Sequence, residues 1–113
     1  MKKILITGAT GFIGNYLIPE LTKNYKIIGI SKNKIKSSKN FTSSSVDITK
    51  SDLRVKNQFT DIIHMAAYSD VNYCNLNPTK CYELNVKSTQ KMLEIARKND
   101  SNFIFLSSSH VYG

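Results

Sequence analysis

Cysteine, histidine and long hydrophobic runs are all scarce in this sequence, and each shortage argues against a class of protein. The 113 residues include two cysteines, two histidines and no tryptophan. No stretch approaches the roughly 18 apolar residues of a membrane-spanning helix, and the short apolar run after Met1 lacks the cleavage site of a signal peptide. We therefore expect a cytoplasmic chain that does not contact a membrane and is long enough for one small globular domain.

The two cysteines do not indicate a metal site. Cys74 and Cys81 lie seven residues apart, and the chain contains no CxxC pair. Structural zinc sites normally take their ligands from closely spaced pairs of cysteine or histidine. We expect no bound metal, and we expect both cysteines to be reduced thiols with a structural role.

Acidic residues are scarce as well, and this shortage is local. The formal net charge is +8, from 16 lysines and arginines against 8 acids. Residues 1–45 hold eight lysines and one acid, Glu20, whereas residues 46–113 are close to neutral. The lysines of residues 32–39 alternate with serine and asparagine, without the aromatic residues on which bases would stack. A solvated surface and a site for a phosphate-bearing ligand both fit this tract, and we expect no nucleic-acid partner.

Hydrophobic spacing predicts alternating strands and helices. The predicted helices are FIGNYLIPELTKN, a brief helix from Ser51 to about Asn57, and a long helix that is capped by Asn77, has Pro78 at its first position and ends near Asn99. The predicted strands are KKILITG, YKIIGIS, SVDITK (residues 45–50), DIIHMAA and NFIFLSS. The polar tract KNKIKSSKNFTSSS, residues 32–45, is predicted to be a loop. This order is typical of an α/β fold with a doubly wound parallel sheet of about five strands.

The segment TGATGFIG, residues 7–14, connects the first predicted strand to the first predicted helix. Glycines at such a turn let the backbone approach a pyrophosphate, which the free amide groups and the dipole of the helix then stabilise. Gly8 and Gly11 would form the turn, and Gly14 would let the helix pack against the sheet. The strand before and the helix after favour a dinucleotide-binding turn over a purely structural connection.

TGATGFIG and four later segments together resemble the short-chain dehydrogenase/reductase superfamily. The glycine segment is most similar to the extended branch of that superfamily, the nucleotide-sugar epimerases, dehydratases and reductases. The later segments are VDIT, HMAAYSDV, ELNVKSTQKML and FLSSSHVYG, and the five cover nearly the whole chain. In ELNVKSTQKML, Ser88 stands where the family usually has glycine. The resemblance implies a Rossmann-type fold, an NAD(P) cofactor and a nucleotide-sugar substrate.

The resemblance also implies which residues contact the cofactor. Asp47 would hydrogen-bond the adenine with Ile48 beside it, and the fourth strand would line the cofactor through Ala66 and Ala67. The other cofactor-binding residues implied by the motifs are Thr7, Gly8, Thr10, Gly11, Phe12, Ile13, Gly14, Asn85 and Ser107.

The end of the second strand bears on the choice between NAD and NADP. An acid about 20 residues after the glycine turn binds the ribose hydroxyl of NAD, whereas a basic residue there accommodates the 2′-phosphate of NADP. The chain has no acid between Glu20 and Asp47, and the strand ends in Ser31-Lys32-Asn33-Lys34, a hydroxyl and two cations where the extra phosphate would lie. We therefore favour NADP(H) and keep NAD(H) as the alternative, which applies if the lysines are only solvated.

The reaction centre is incomplete in these residues. The resemblance implies that Ser108, four residues before Tyr112, binds the substrate oxygen, and that a tyrosine from a YxxxK motif transfers the proton. No tyrosine of the chain has a lysine four residues later. We therefore expect residues 1–113 to be the N-terminal, cofactor-binding portion of a longer enzyme, without its substrate-binding part and inactive alone. In such a chain the fifth strand would be an exposed edge at which copies associate.

Two interpretations of the function stay open. The first is NAD(P)-dependent hydride transfer at the sugar of a nucleotide-sugar, by an oxidoreductase, epimerase or dehydratase. The second is a non-catalytic regulatory module that binds NAD(P) with the same fold. A homo-oligomer is compatible with both interpretations.

Overall fold

A computed structural model describes residues 2–8, 12–33, 36–49, 59–65 and 71–106. The brief helix predicted from Ser51 to about Asn57 lies outside these ranges. Within them, strands and helices alternate as the hydrophobic spacing predicts.

Five strands form one sheet in which every neighbouring pair is parallel. They are β1 (Lys3–Thr7), β2 (Lys26–Ser31), β3 (Phe41–Ser45), β4 (Asp61–His64) and β5 (Asn102–Phe105). Their order across the sheet is β3-β2-β1-β4-β5, so the chain first extends the sheet on one side of β1 and then on the other. This order confirms the predicted doubly wound, Rossmann-type sheet.

The long predicted helix is divided into several pieces. The described helices are α1 (Phe12–Leu21), α2 (Val71–Leu76), α3 (Pro78–Tyr82), a π-helical turn (Glu83–Lys87) and α4 (Ser88–Asn99). The ends at Pro78 and Asn99 are confirmed, whereas α2 and the π-helical turn were not predicted. Asn77 stands at the predicted cap position, but its side-chain amide donates to the Tyr73 carbonyl at 3.1 Å and does not cap α3. No helix of the described ranges is long and apolar enough to cross a membrane.

Apolar side chains pack on both faces of the sheet. In β1, Leu5 belongs to one buried cluster while Ile4 and Ile6 belong to the other, because successive side chains of a strand point to opposite faces. Residues of α4 cover the face with Leu5, and residues of α1 cover the opposite face. Because helices cover both faces of the sheet, a ligand can approach the strands at their carboxyl ends.

The third strand lies earlier in the chain than predicted, so both the strand predicted at residues 45–50 and the loop predicted over residues 41–45 are wrong. In β3, Phe41 is buried and pairs with Ile27 of β2, and Ser43 is buried two residues later. β3 stands at an edge of the described sheet, where its other side chains can stay polar. One apolar residue and backbone pairing to β2 therefore suffice to place a serine-rich strand.

The two cysteines are joined by a disulfide, so the expectation of reduced thiols is wrong. On an uninterrupted helix, residues seven apart are separated by about 10 Å along the axis. Here one helix ends at Leu76 and the next begins at Pro78, which brings the Cα atoms of Cys74 and Cys81 to 5.5 Å. The break at Asn77 explains a pairing that the spacing did not indicate.

We expect reduction of this disulfide to destabilise the fold. The bridge spans a sequence separation of seven residues, and the chain-entropy relation for so short a loop gives about 2 kcal/mol of unfolding free energy. The urea midpoint of the wild-type chain should therefore fall when a phosphine reductant is added. In Cys74→Ser, the matched control, the midpoint should not respond to the reductant. A wild-type midpoint that is equally unresponsive would contradict the prediction.

β5 is at the other edge of the described sheet and carries exposed apolar side chains. Ile104 and Phe105 each expose 46% of their surface, and Leu106 is exposed as well. The strand is therefore as accessible in the structure as the sequence predicts. Its pairing between copies of the chain stays a prediction.

Candidate functional site

The carboxyl ends of all five strands lie along the same side of the sheet, since the strands are parallel. The neighbours of β1 are β2 and β4, to which the chain connects in opposite directions across the sheet. Open α/β sheets bind ligands in the crevice outside the carboxyl ends at such a switch point. Thr7 ends β1 and His64 ends β4, and the two residues pair in register. The candidate site is therefore built around them.

Gly8 begins the turn that leads from β1 towards α1. Its φ angle is 72°, in the left-handed region that glycine adopts without steric cost. Its amide donates to the Ile30 carbonyl of β2 at 3.1 Å, which fixes where the chain leaves the sheet. α1 begins at Phe12, and Gly14 in its first turn is buried, whereas Ile13 is 53% exposed. Only three residues separate Gly8 from Phe12, so the N-terminus of α1 lies close in the chain to the end of β1, the arrangement that binds phosphate groups in this type of sheet.

Hydrogen bonds join Thr7, His64 and Thr89 across the buried ends of the strands. His64 Nδ1 lies 2.6 Å from Thr7 Oγ1, and His64 Nε2 lies 3.0 Å from Thr89 Oγ1 on α4. The Met65 amide donates to Thr7 Oγ1 at 3.0 Å, and the Thr89 hydroxyl donates to the Asn85 carbonyl at 2.8 Å. Thr7 and His64 are fully buried, and burial lowers the pKa of His64 from 6.5 to about 4. The imidazole is therefore neutral at pH 7.

Ser31 and Lys32, at the end of β2, have different surroundings, and Lys34 lies outside the described ranges. Ser31 is buried, and its hydroxyl donates to the Asn33 carbonyl at 2.5 Å. The side chain of Lys32 is exposed, while its carbonyl accepts from the Ser45 hydroxyl of β3 at 2.8 Å. The turn after β2 is thus held by side-chain hydrogen bonds and leaves the ammonium group of Lys32 exposed to an approaching anion.

The segment after β3 is held by its own turn and by α4. Asp47 Oδ1 accepts from the amide of Thr49 at 3.0 Å and from its hydroxyl at 2.5 Å. Ile48 is buried in the cluster that faces α4, and its carbonyl accepts from Lys91 Nζ at 3.1 Å. Because Thr89 and Lys91 are on the same helix, α4 fixes both this segment and the end of β4.

The structure brings some of the predicted site residues together at this edge. Thr7, Gly8 and Ser31 lie where β1 and β2 end, Asp47 follows β3, and Asn85 bonds to the helix residue that contacts His64. The predicted residues that lie outside the described ranges are Thr10, Gly11, Ala66, Ala67, Ser107 and the catalytic candidate Ser108. The roles assigned to all of these residues stay predictions.

His64 and Thr89 were not among the predicted site residues. A histidine at the end of the apolar run DIIH was the available signal for His64, because a buried polar side chain needs hydrogen-bond partners. The sequence carries no comparable signal for Thr89, which reaches His64 only through the packing of α4. In the part of the chain that the structure describes, no three histidine, cysteine, aspartate or glutamate residues are grouped so that they could hold a metal ion.

Comparisons with known proteins agree with this architecture. The model of the NAD dependent epimerase/dehydratase family matches residues 4–113. A UDP-glucose 4-epimerase of Neisseria meningitidis serogroup B is 32% identical over 100% of this chain and 38% of its own length. A putative UDP-glucose 4-epimerase of Methanocaldococcus jannaschii is 36% identical over 97% of this chain and 39% of its own length.

Solved structures show the same likeness. The UDP-Glc/GlcNAc 4-epimerase of Campylobacter jejuni superposes with a TM-score of 0.86 at 26% identity, over 100% of this chain and 39% of that one. The UDP-glucose 4-epimerase of Bifidobacterium longum, solved in complex with NAD+ and UDP, gives a TM-score of 0.84 at 27% identity, over 99% of this chain and 38% of that one. The chain spans about two-fifths of the length of these relatives. From the family match and these likenesses, which agree with the motifs in the sequence, the chain belongs to the NAD dependent epimerase/dehydratase family.

Proposed function

We propose that this chain binds a nicotinamide dinucleotide and is the cofactor-binding part of an enzyme that acts on nucleotide-sugars. The observation that carries the proposal is the position of the Gly8 turn, at the end of β1 and at the switch point of the sheet. The names of the relatives support the substrate class, because they are UDP-glucose 4-epimerases. The complex of the Bifidobacterium longum enzyme with NAD+ and UDP supports the cofactor class.

Each part of the site would have a defined task. The backbone of the Gly8 turn and the N-terminus of α1 would hold the pyrophosphate, and Asp47 would bind the adenine. When bound, the cofactor supplies a nicotinamide ring that accepts or donates a hydride at the sugar. Ser108 would bind the oxygen of the reacting sugar carbon. The proton would come from the tyrosine of a YxxxK motif, which residues 1–113 do not contain.

We also propose that NADP(H) binds more tightly than NAD(H). The support is local: the chain has no acid between Glu20 and Asp47, and the exposed ammonium group of Lys32 follows β2. The relative named with a bound cofactor carries NAD+, so this preference rests on the residues of this chain alone. The extra phosphate of NADP would be placed beside Lys32, where opposite charges attract.

Titration with NADPH and NADH tests both proposals. We expect both nucleotides to bind, and NADPH to bind about tenfold more tightly than NADH. Binding is measured by energy transfer from the fluorescent tyrosines of the protein to the reduced nicotinamide. Lys32→Ala should remove the difference. Lys39→Ala is the matched control, because Lys39 is an exposed lysine just before β3 and therefore lies at the amino ends of the strands, away from the candidate site. Equal affinities in the wild type would end the NADP preference, and absence of binding by either nucleotide would end the proposed function.

A non-catalytic NAD(P)-binding module is the alternative, and it makes the same binding prediction. The sequence of the complete gene distinguishes the enzyme from the module. A YxxxK motif after residue 113 supports the enzyme, and its absence supports the module. A cytoplasmic location and assembly into a homo-oligomer stay predictions in both cases.

A further inference from the structure

A continuous series of hydrogen bonds runs from α4 through His64 to the last residue of β1. Its members are far apart in sequence, since Thr7 and His64 are 57 residues apart and His64 and Thr89 are 25 residues apart. The ring of His64 also stacks on Phe105 of β5, with the centroids 5.9 Å apart. These contacts on several sides restrict the position and the orientation of the ring.

The partners determine which nitrogen of His64 carries the proton. A carbonyl oxygen only accepts, so the Thr89 hydroxyl must use its single hydrogen in the bond to the Asn85 carbonyl, at 2.8 Å. Thr89 Oγ1 therefore accepts from His64 Nε2, which must carry the proton. In the neutral ring, Nδ1 is then an acceptor, and the Thr7 hydroxyl donates to it at 2.6 Å.

We propose that His64 is a positioning residue whose Nδ1 holds the Thr7 hydroxyl, and through it the start of the Gly8 turn, in the arrangement that binds a dinucleotide. This inference rests on the proposed function. The Met65 amide contacts Thr7 twice, at the carbonyl oxygen at 3.1 Å and at Oγ1 at 3.0 Å. Rotation of the Thr7 side chain would therefore disturb the hydrogen bonds between β1 and β4 immediately before Gly8, whose φ angle is 72°.

Two substitutions of His64 separate the two ends of this series. In His64→Asn, the side-chain oxygen occupies about the position of Nδ1 and can still accept from Thr7. In His64→Gln, the polar group reaches about as far as Nε2, so the bond to Thr89 can be kept while Thr7 loses its acceptor. We expect His64→Gln to weaken NADPH binding about tenfold, the usual cost of one hydrogen bond in a positioned site, and His64→Asn to restore affinity to within about threefold of the wild type.

If His64 had a purely structural role, the two variants would bind NADPH with equal affinity, because both substitutions remove the imidazole ring and its packing. Thr60→Val is the matched control and should leave affinity unchanged. The Thr60 hydroxyl lies at the opposite end of β1, 2.8 Å from the Asp61 carboxylate and 3.2 Å from the Lys3 carbonyl. If His64→Gln does not fold, Thr7→Val takes its place, because it removes the hydroxyl that donates to His64 and keeps the shape of the side chain. The Met65 amide then loses its bond to Oγ1 and keeps its bond to the Thr7 carbonyl. Equal affinities of the two His64 variants, or unchanged affinity of Thr7→Val, would overturn the inference.

Nitrogen NMR of the wild-type imidazole gives a readout independent of any ligand. We expect the neutral ring to carry its proton on Nε2, and a ring protonated on Nδ1 would overturn the inference. If the wild type binds neither NADPH nor NADH, the proposed function fails and this inference fails with it. If the wild type binds but the variants do not differ as described, only the role of His64 fails.

Discussion

Gly8→Val should abolish detectable binding of NADPH and NADH, with affinity reduced by at least about 100-fold, in a chain that still folds. Gly8 has a φ angle of 72°, and a residue with a side chain in the left-handed region costs roughly 1–2 kcal/mol. A β-branched residue is a pronounced outlier there. The added carbon atoms would also occupy the space in which the backbone approaches the pyrophosphate. The loss of binding should therefore exceed what the loss of stability explains.

A second residue with positive φ separates these two effects. Asn40 has a φ angle of 63° and stands just before β3, remote from the carboxyl ends of the strands. Asn40→Val should reduce the unfolding free energy by a similar amount, with an added cost for the lost bond from its side chain to the Thr22 carbonyl at 3.1 Å. Its nucleotide affinity should equal that of the wild type. Urea unfolding and NADPH titration of both variants are the measurements, and wild-type affinity in Gly8→Val would contradict the proposed function.

Most of the fold could be predicted because local patterns determine it. The alternation of Leu5 with Ile4 and Ile6 marks a strand with two covered faces, and the structure packs these residues into different clusters. Strands separated by helices require parallel pairing with crossovers on the faces of the sheet. The sheet order then follows from few remaining choices, and the structure has the predicted arrangement.

The errors arise where tertiary contacts override local composition. β3 forms because Phe41 is buried beside Ile27 and β2 offers backbone partners, neither of which appears in a serine-rich sequence. The disulfide depends on a helix break whose geometry brings two Cα atoms to 5.5 Å. The π-helical turn is a further case, because hydrophobic spacing does not distinguish it from a continuous helix.

The candidate site was predictable in part for the same reason. The Gly8 turn is visible as a local motif, and its positive φ angle explains why glycine stands there. The contacts of His64 are not local, since its partners come from β1 and α4. A buried histidine can be recognised in the sequence as a residue that needs partners, but only the structure identifies them.

Acid should destabilise the wild-type chain more than the His64→Asn variant between pH 6.5 and pH 4. Burial lowers the pKa of His64 from 6.5 in the unfolded chain to about 4 in the folded chain. In this window the unfolded chain binds a proton that the folded chain does not, so the free energy of unfolding falls as the pH falls. The contribution is fully present above pH 6.5 and is lost by about pH 4, and the whole difference corresponds to about 3 kcal/mol.

Urea titrations of the two proteins at a series of pH values measure this effect directly. The carboxylates and His110 are present in both, so their titration cancels when the unfolding free energies are subtracted. The remaining difference should decrease steadily below pH 6.5, and parallel curves would show that the folded chain does not hold His64 neutral. Because Nε2 already carries a proton that it donates to Thr89, the second proton must enter at Nδ1, where the Thr7 hydroxyl donates at 2.6 Å. Protonation at Nδ1 therefore ends the hydrogen bond that the Thr7 hydroxyl donates and requires that hydroxyl to turn its hydrogen away, so acid acts on the end of β1 as well as on global stability.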